Sequence, residues 1–312
     1  MPKKRILAYG LLSLTALLWG WAAPVIKYTL RFISPIEFLF YRFLLVSLFF
    51  IVPFILEIRQ KNLHWKDLYS LFLIGLLGGP ITLLLIFIGT NYTTSLNSSL
   101  IVSISPIFIV LGGAFFLKEE ITTREKTGLI FAVFGAIVTV VQPGLASGSG
   151  TSKAMIGNLI LLVHNFVWAA YCLLVKKKSA RFSPTIITAI TFFSGLFVLP
   201  LLFFPQRFAL APLEPVFKIS RQAWPGILYM SVFSSVIAYT TYNWGMSLIE
   251  ASEGTIFTYL QPIFAAPLSF FWLNEKISPT FLLGTLLIVI GVFLTEYRSG
   301  KPLESRRLNK PS

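Results

Sequence analysis

Charge is what this sequence has least of. Of its 312 residues only 12% are Asp, Glu, Lys or Arg, about half of the roughly 25% usual in soluble domains. Acid is scarcer still: 26 Lys and Arg stand against 12 Asp and Glu, and Asp67 is the single aspartate. Cys172 is the single cysteine, and His64 and His164 are the two histidines. One cysteine excludes an intrachain disulfide and any cysteine-rich metal site. Two histidines with one aspartate argue against a zinc centre. The chain has no G-x-S-x-G elbow, no H-E-x-x-H pair and no phosphate-binding loop, so enzymes and ATP-driven pumps find no residues here. No cofactor and no metal are expected.

What fills the space is apolar. Hydrophobic residues make up 55% of the chain, and the mean hydropathy is +0.78. A soluble fold of this size could not hide so much apolar surface behind so few charges. The apolar runs are about 17–23 residues long, the length a helix needs to cross about 30 Å of hydrocarbon. They lack the ten-residue alternation of outer-membrane barrels. The reading is an all-α integral membrane protein. MPKKR at the start resembles a signal n-region, but the run after it is too long and has no small-residue cleavage site, so it is expected to stay as the first helix.

Ten spans can be marked: 6–27, 35–56, 68–90, 95–117, 126–142, 155–175, 184–204, 224–247, 253–273 and 279–296. A Gly/Ser-rich linker at 143–154 divides residues 1–142 from residues 155–297, and a basic tail occupies 298–312. The halves match. Trp19, Lys27 and Ser34-Pro35 recur 149 residues later as Trp168, Lys176 and Ser183-Pro184. After a longer loop the offset becomes 156, pairing Gly89 with Gly245, Pro106 with Pro262, Glu119 with Glu275, Gly128 with Gly284 and Gly135 with Gly291. Five spans per half turn the second copy upside down, so the expectation is ten transmembrane helices as two inverted five-helix repeats.

The formal net charge of +14 fits this topology better than it fits nucleic acid. Basic residues sit in short loops and concentrate on the side of the N-terminus, as the positive-inside rule requires. Both termini are therefore expected in the cytoplasm, in a multi-pass protein of the cytoplasmic membrane. The 205–223 loop, with Arg207, Lys218 and Arg221 outside, is discordant.

The order of short motifs carries a resemblance. The first half carries WG-x6-K in its first span and S-x-S-P in its fourth, of which the Trp, Lys and Pro recur, and the L-x-E-x-I ending and the G-x6-G helix after it recur in both halves. Together they resemble the EamA-type branch of the drug/metabolite transporter superfamily, over nearly the whole chain. The resemblance implies ten helices, cytoplasmic termini and export or exchange of small metabolites by alternating access.

Polar residues deep in the spans are costly toward lipid and should face the bundle interior. Ser99 and Ser103 fall on one face of the fourth span, and Thr255 and Tyr259 on the equivalent face of the ninth. Two readings fit these stripes, a cavity wall and close helix packing. Pro106 and Pro262 lie inside apparent helices, where each removes a backbone hydrogen bond, as a gating bend or a static kink. Arg42 is the deepest charge and needs a partner or water, about 3 kcal/mol being at stake on insertion scales. It anchors structure or binds an anion, and its second copy is Thr191. His164 and Trp168 face Thr15 and Trp19 across the repeat, a departure that suits an asymmetric substrate or, for His164, a proton carrier or a histidine held by a carbonyl. Tyr239 and Asn243 make the eighth span unusually polar and aromatic.

The first span has no carboxylate, which weakens proton antiport of the kind that uses one. The expected function is a secondary transporter of a small organic metabolite, an amino acid or related compound, acting as exporter or exchanger. A channel-like permease and a multidrug or aromatic-cation exporter are the alternatives. The partners are a small-molecule substrate and the lipid bilayer, with no nucleic acid, the coupling ion open, and a monomer or weak dimer. Glu119–Glu120 and Glu275 end equivalent spans on opposite faces, each expected to cap the next helix of its own half.

Overall fold

A computed structural model describes residues 3–59, 65–117, 123–146, 152–178, 181–210, 219–249 and 256–296. Among these residues all regular structure is helical. α1 (Lys3–Gly20) passes through Trp21 into α2 (Ala22–Thr29), and α3 spans Pro35–Arg59. α4 (Trp65–Leu76) runs through a π-helical turn, Leu77–Ile81, into α5 (Thr82–Tyr92). α6 (Ser95–Ser103) and α7 (Ser105–Leu117) are split at Ile104. α8 (Thr123–Ala146), α9 (Lys153–Lys178) and α10 (Pro184–Leu210) follow. α11 (Trp224–Leu228), a π-helical stretch Tyr229–Ile237 and α12 (Ala238–Leu248) form one run. A 3-10 turn, Ile256–Leu260, leads into α13 (Gln261–Phe271), and α14 covers Pro279–Glu296.

Six of these stretches are long and apolar enough to cross a membrane, with shorter apolar helices at Lys126–Val141 and Pro279–Gly291. The surface is inside out relative to a soluble protein. Phe115 is 81% exposed and Phe271 78%, while Asn158, Asn165 and Ser231 are fully buried. Such an apolar exterior is stable only against lipid. The interior is aromatic too: Phe38, Phe43, Phe87 and Phe192 are fully buried, and Phe40 stacks on Phe203 at 4.3 Å.

The halves contact each other through equivalent pairs. A methyl added to Gly135 would lie 2.8 Å from the Gly284 carbonyl, and one on Gly291 would lie 2.5 Å from the Gly128 carbonyl. The order of these contacts makes α8 and α14 antiparallel, and only hydrogen at the glycines lets them approach so closely. Gly89 sits against Leu161 and the Gly157 carbonyl, and Gly245, its copy, against Leu12 and the Ala8 carbonyl, the copies of those two positions. The π-helical segments are also equivalent, since Leu77–Ile81 shifted by 156 residues falls within Tyr229–Ile237. Pro80 lies in the first, where its missing N–H opens the helical ladder.

The sequence pattern placed Pro106 and Pro262 within continuous helices, and the structure corrects this. Pro106 is the second residue of α7, after the break at Ile104, and Pro262 occupies the first turn of α13. A proline there removes an N–H that has no intrahelical partner to lose. The ladder has instead been broken just before each proline.

The glycine contacts generate a test. Gly291→Ala should lower the thermal midpoint of the purified protein in detergent, by the equivalent of about 1–3 kcal/mol of overpacking. Gly10, which has nothing within 4 Å of an added methyl, should tolerate Ala with no loss, because Ala is the better helix former by about 1 kcal/mol.

Candidate functional site

A cavity lies between the halves, walled by Trp19 and α2, Arg42 of α3, α5, α6, His164 and Trp168 of α9, the Tyr229–Ile237 stretch, Tyr239 and Tyr242 of α12, and Gln261. Its volume, about 120 Å³ of water-accessible space, is several times the roughly 10–15 Å³ one water requires on that measure. The wall is mostly apolar with a few convergent polar groups, the usual constitution of a small-molecule site.

Helix irregularities place those groups. At the α6–α7 break the Ser105 hydroxyl, whose one proton serves two acceptors, lies 2.5 Å from the Val102 carbonyl. Asn165 Nδ2 donates to the Ile101 carbonyl at 2.7 Å, and Ser105 and Asn165 Oδ1 are themselves within 2.6 Å. Side chains thus take up carbonyls that the break frees, the condition for irregular backbone inside a membrane. Ser105 and Gln261 are repeat copies, each just before the shared Pro-Ile-Phe, and both reach the cavity wall.

Trp19 is fixed by a hydrogen bond from Nε1 to the Ser234 carbonyl at 3.0 Å and by ring contacts with Tyr239 at 5.3 Å and Tyr242 at 5.1 Å. Its copy, Trp168, packs against Tyr171 at 5.3 Å. His164 Nδ1 lies 3.1 Å from the Thr82 carbonyl. A carbonyl can only accept, so Nδ1 is the donor in this contact. Thr15, the copy of His164, reaches the Ala238 carbonyl, the copy of Thr82, at 3.4 Å. The Thr15 hydroxyl also lies 3.0 Å from the Leu11 carbonyl, whereas His164 brings an imidazole to the cavity wall at that point.

Arg42 is 2% exposed. Its Nε donates to Ser235 Oγ at 3.0 Å, and its guanidinium lies 5.6 Å from the centre of the Phe87 ring. Among the described residues no carboxylate pairs with it; the one ion pair seen there is Arg181 with Asp67, held by bonds of 2.9 and 2.7 Å.

The remaining expected positions divide. Ser99 lines the cavity, although its hydroxyl donates to the Leu96 carbonyl. Ser103 does not: its hydroxyl returns to the Leu100 carbonyl at 2.8 Å, and Ser98 takes a place in the wall instead. Tyr259 and Pro262 also stand outside the wall, which Thr258 and Gln261 supply from that segment. Thr255 lies outside the described residues, as does the Asn243 side chain. Close packing is realised at Ser95, whose hydroxyl is 2.7 Å from that of Ser269. Thr82 and Ser234 were missed; they sit at the π-helical segments, which shift the helix phase and leave no mark in an apolar periodicity.

One end of the cavity region is tied across the halves. Glu275 accepts hydrogen bonds from the backbone N–H of Ser95 at 2.7 Å and of Leu96 at 3.0 Å, at the N-terminus of α6. Lys27 Nζ donates to the carbonyls of Thr90 and Asn91 beside it. Glu275 was expected to cap a helix of its own half; it caps one of the other half. Glu119 and Glu120 lie outside the described residues.

The profile of the EamA-like transporter family matches the chain twice, over residues 6–141 and 155–297. An uncharacterized transporter of Archaeoglobus fulgidus is 29% identical over 296 residues, covering 91% of this chain and 96% of its own. The uncharacterized transporter YetK of Bacillus subtilis is 26% identical, covering 97% of this chain and 90% of its own. A solved crystal structure shares the fold, with a TM-score of 0.63 at 20% identity over 96% of this chain and 98% of that one.

Removing the Asn165 amide leaves the Ile101 carbonyl buried without that partner. Asn165→Leu should therefore cost about 1–3 kcal/mol, read as a lower melting midpoint in detergent. A midpoint equal to wild type would show that the carbonyl does not depend on the side chain.

Proposed function

The chain belongs to the EamA-like transporter family, and from that membership we propose a secondary transporter that moves a small organic metabolite across the cytoplasmic membrane by alternating access, as exporter or exchanger. Membership already places it among membrane transporters rather than enzymes. The proposed architecture is ten transmembrane helices in two inverted five-helix repeats, residues 1–142 and 155–297, joined by the linker 143–154, with both termini in the cytoplasm and the basic tail 298–312 beside them. The proposed substrate contacts are Trp19, Ser99, His164, Trp168 and Tyr239.

The observation that carries this reading is the cavity between two halves whose walls repeat. Trp19 and Trp168, and Ser105 and Gln261, contribute from both copies. Inverted repeats let one fold open to either side, since exchanging the conformations of the two halves inverts access. The Glu275 tie to α6 joins the two halves, as a gate between them would. With no phosphate-binding loop to use ATP, transport runs by facilitated diffusion, exchange or a coupling through His164.

Purified protein in liposomes should show saturable counterflow: a preloaded metabolite accelerates uptake of the labelled one. Amino acids, nucleosides and aromatic cations make a suitable panel. Flux that rises linearly with concentration and ignores the trans solute would identify a channel-like permease instead.

A further inference from the structure

Arg42 has a copy at Thr191, and the repeat serves as an internal control on what that position requires. The Arg42 Nε meets Ser235, and the copy of Ser235 is Gly79. In the second arrangement Thr191 and Gly79 meet directly, an added methyl on Gly79 falling 2.5 Å from the Thr191 carbonyl. Thr191 satisfies its own hydroxyl on the Ile187 carbonyl at 2.8 Å. The same helix crossing is thus closed once by a small neutral pair and once by a buried cation with a serine. Packing alone does not call for the cation.

The cation is also left short of charge. An arginine stays protonated in proteins and offers five N–H donors, and a charge in the membrane interior costs about 3 kcal/mol on insertion scales unless it is paired or hydrated. Among the described residues, Ser235 takes Nε and no carboxylate faces the guanidinium, which lines the cavity. Lys27, at the end of the first span, is spent on the Thr90 and Asn91 carbonyls and is not part of the wall.

Resting on the transporter reading of this cavity, we propose that Arg42 is the anion-recognition point, and that the substrate is an organic monoanion or zwitterion carrying one carboxylate on an aromatic or bulky apolar body. The two Nη groups present a planar fork that matches a carboxylate in two parallel hydrogen bonds. The apolar body lies against Trp19, Trp168, Tyr239 and Tyr242. Arg42, the one cation in the wall among the described residues, matches one negative charge and leaves a dianionic phosphate half-neutralised in a low-dielectric site. A bare cation, which the aromatic rings alone would welcome, meets repulsion from Arg42 instead.

The test uses the full chain in lipid nanodiscs and four probes sharing one ring: 3-phenylpropionate, phenylalanine, phenethylamine and phenyl phosphate. Calorimetric titration should show binding of the two carboxylates, weaker binding of phenyl phosphate and none of phenethylamine. Arg42→Met should weaken both carboxylates by about tenfold or more, the usual scale for losing a hydrogen bond to a charged group, with no loss for phenethylamine. Arg42→Lys, which keeps the charge, should recover part of the affinity, and Ser235→Ala should weaken the carboxylates while leaving Arg42 in place. Thermal midpoints establish that each variant is folded. Binding of phenethylamine or phenyl phosphate ahead of the carboxylates, failure of both carboxylates to bind, or an Arg42→Met variant with unaltered carboxylate affinity would each overturn the proposal. Saturable counterflow of phenethylamine would do so while leaving the transporter reading intact, so the two claims fail separately.

Discussion

A backbone inside hydrocarbon has no water to bond with, so every helix irregularity must bring its own hydrogen-bond partners, and the polar chemistry of this protein is organised by that need. The break at Ile104 frees carbonyls that Ser105 and Asn165 occupy. The π-helical segments widen two helices next to the cavity, and there Trp19, Thr15 and His164 reach backbone carbonyls of the opposite half. At the N-terminus of α6, two N–H groups without helical partners are met by Glu275. The contacts that satisfy the backbone are largely the contacts that join the halves, which couples local irregularity to the cavity between them.

Against that shared frame the differences between the copies gain meaning. Thr15 and His164 approach equivalent carbonyls, yet only His164 brings an imidazole into the cavity wall. Ser235 and Gly79 meet Arg42 and Thr191 in equivalent places, yet only Arg42 brings a charge. A site built wholly from duplicated groups would treat both ends of a substrate alike. The imidazole and the guanidinium give this one polarity, as recognition of an unsymmetrical molecule requires.

Much of this was legible in the chain itself. Charge scarcity and run length point to membrane helices, and the fixed offsets of 149 and 156 residues expose the duplication. Arg42, His164, Trp19, Trp168, Ser99 and Tyr239 stand out because polar or aromatic groups deep in an apolar run have few places to go, and all six lie in the cavity wall. The failures have physical sources. Ser103 was grouped with Ser99 by its four-residue step, and both lie in α6, but Ser103 is in its last turn, outside the cavity wall, with its hydroxyl on the Leu100 carbonyl. Tyr259 was read in the same way and falls in a 3-10 turn with a different pitch. Thr82 and Ser234 sit at π-helical segments that no periodicity announces. Glu275 was assigned to its own half because sequence neighbours are the simplest partners, but the helix it caps comes from the other one.

Under the proposed alternating access, the Glu275 tie closes one face of the cavity. Ala22 lines that cavity, so Ala22→Cys in a Cys172→Ala background reports access from the face at which the tie lies. Glu275→Gln removes the charge from two hydrogen bonds, which at about 1.5–3 kcal/mol each is enough to shift a two-state equilibrium tenfold or more. The account predicts that an impermeant maleimide added on that face labels the cysteine at least about tenfold faster when Glu275 is Gln. Equal labelling rates with and without the Glu275 carboxylate would contradict it.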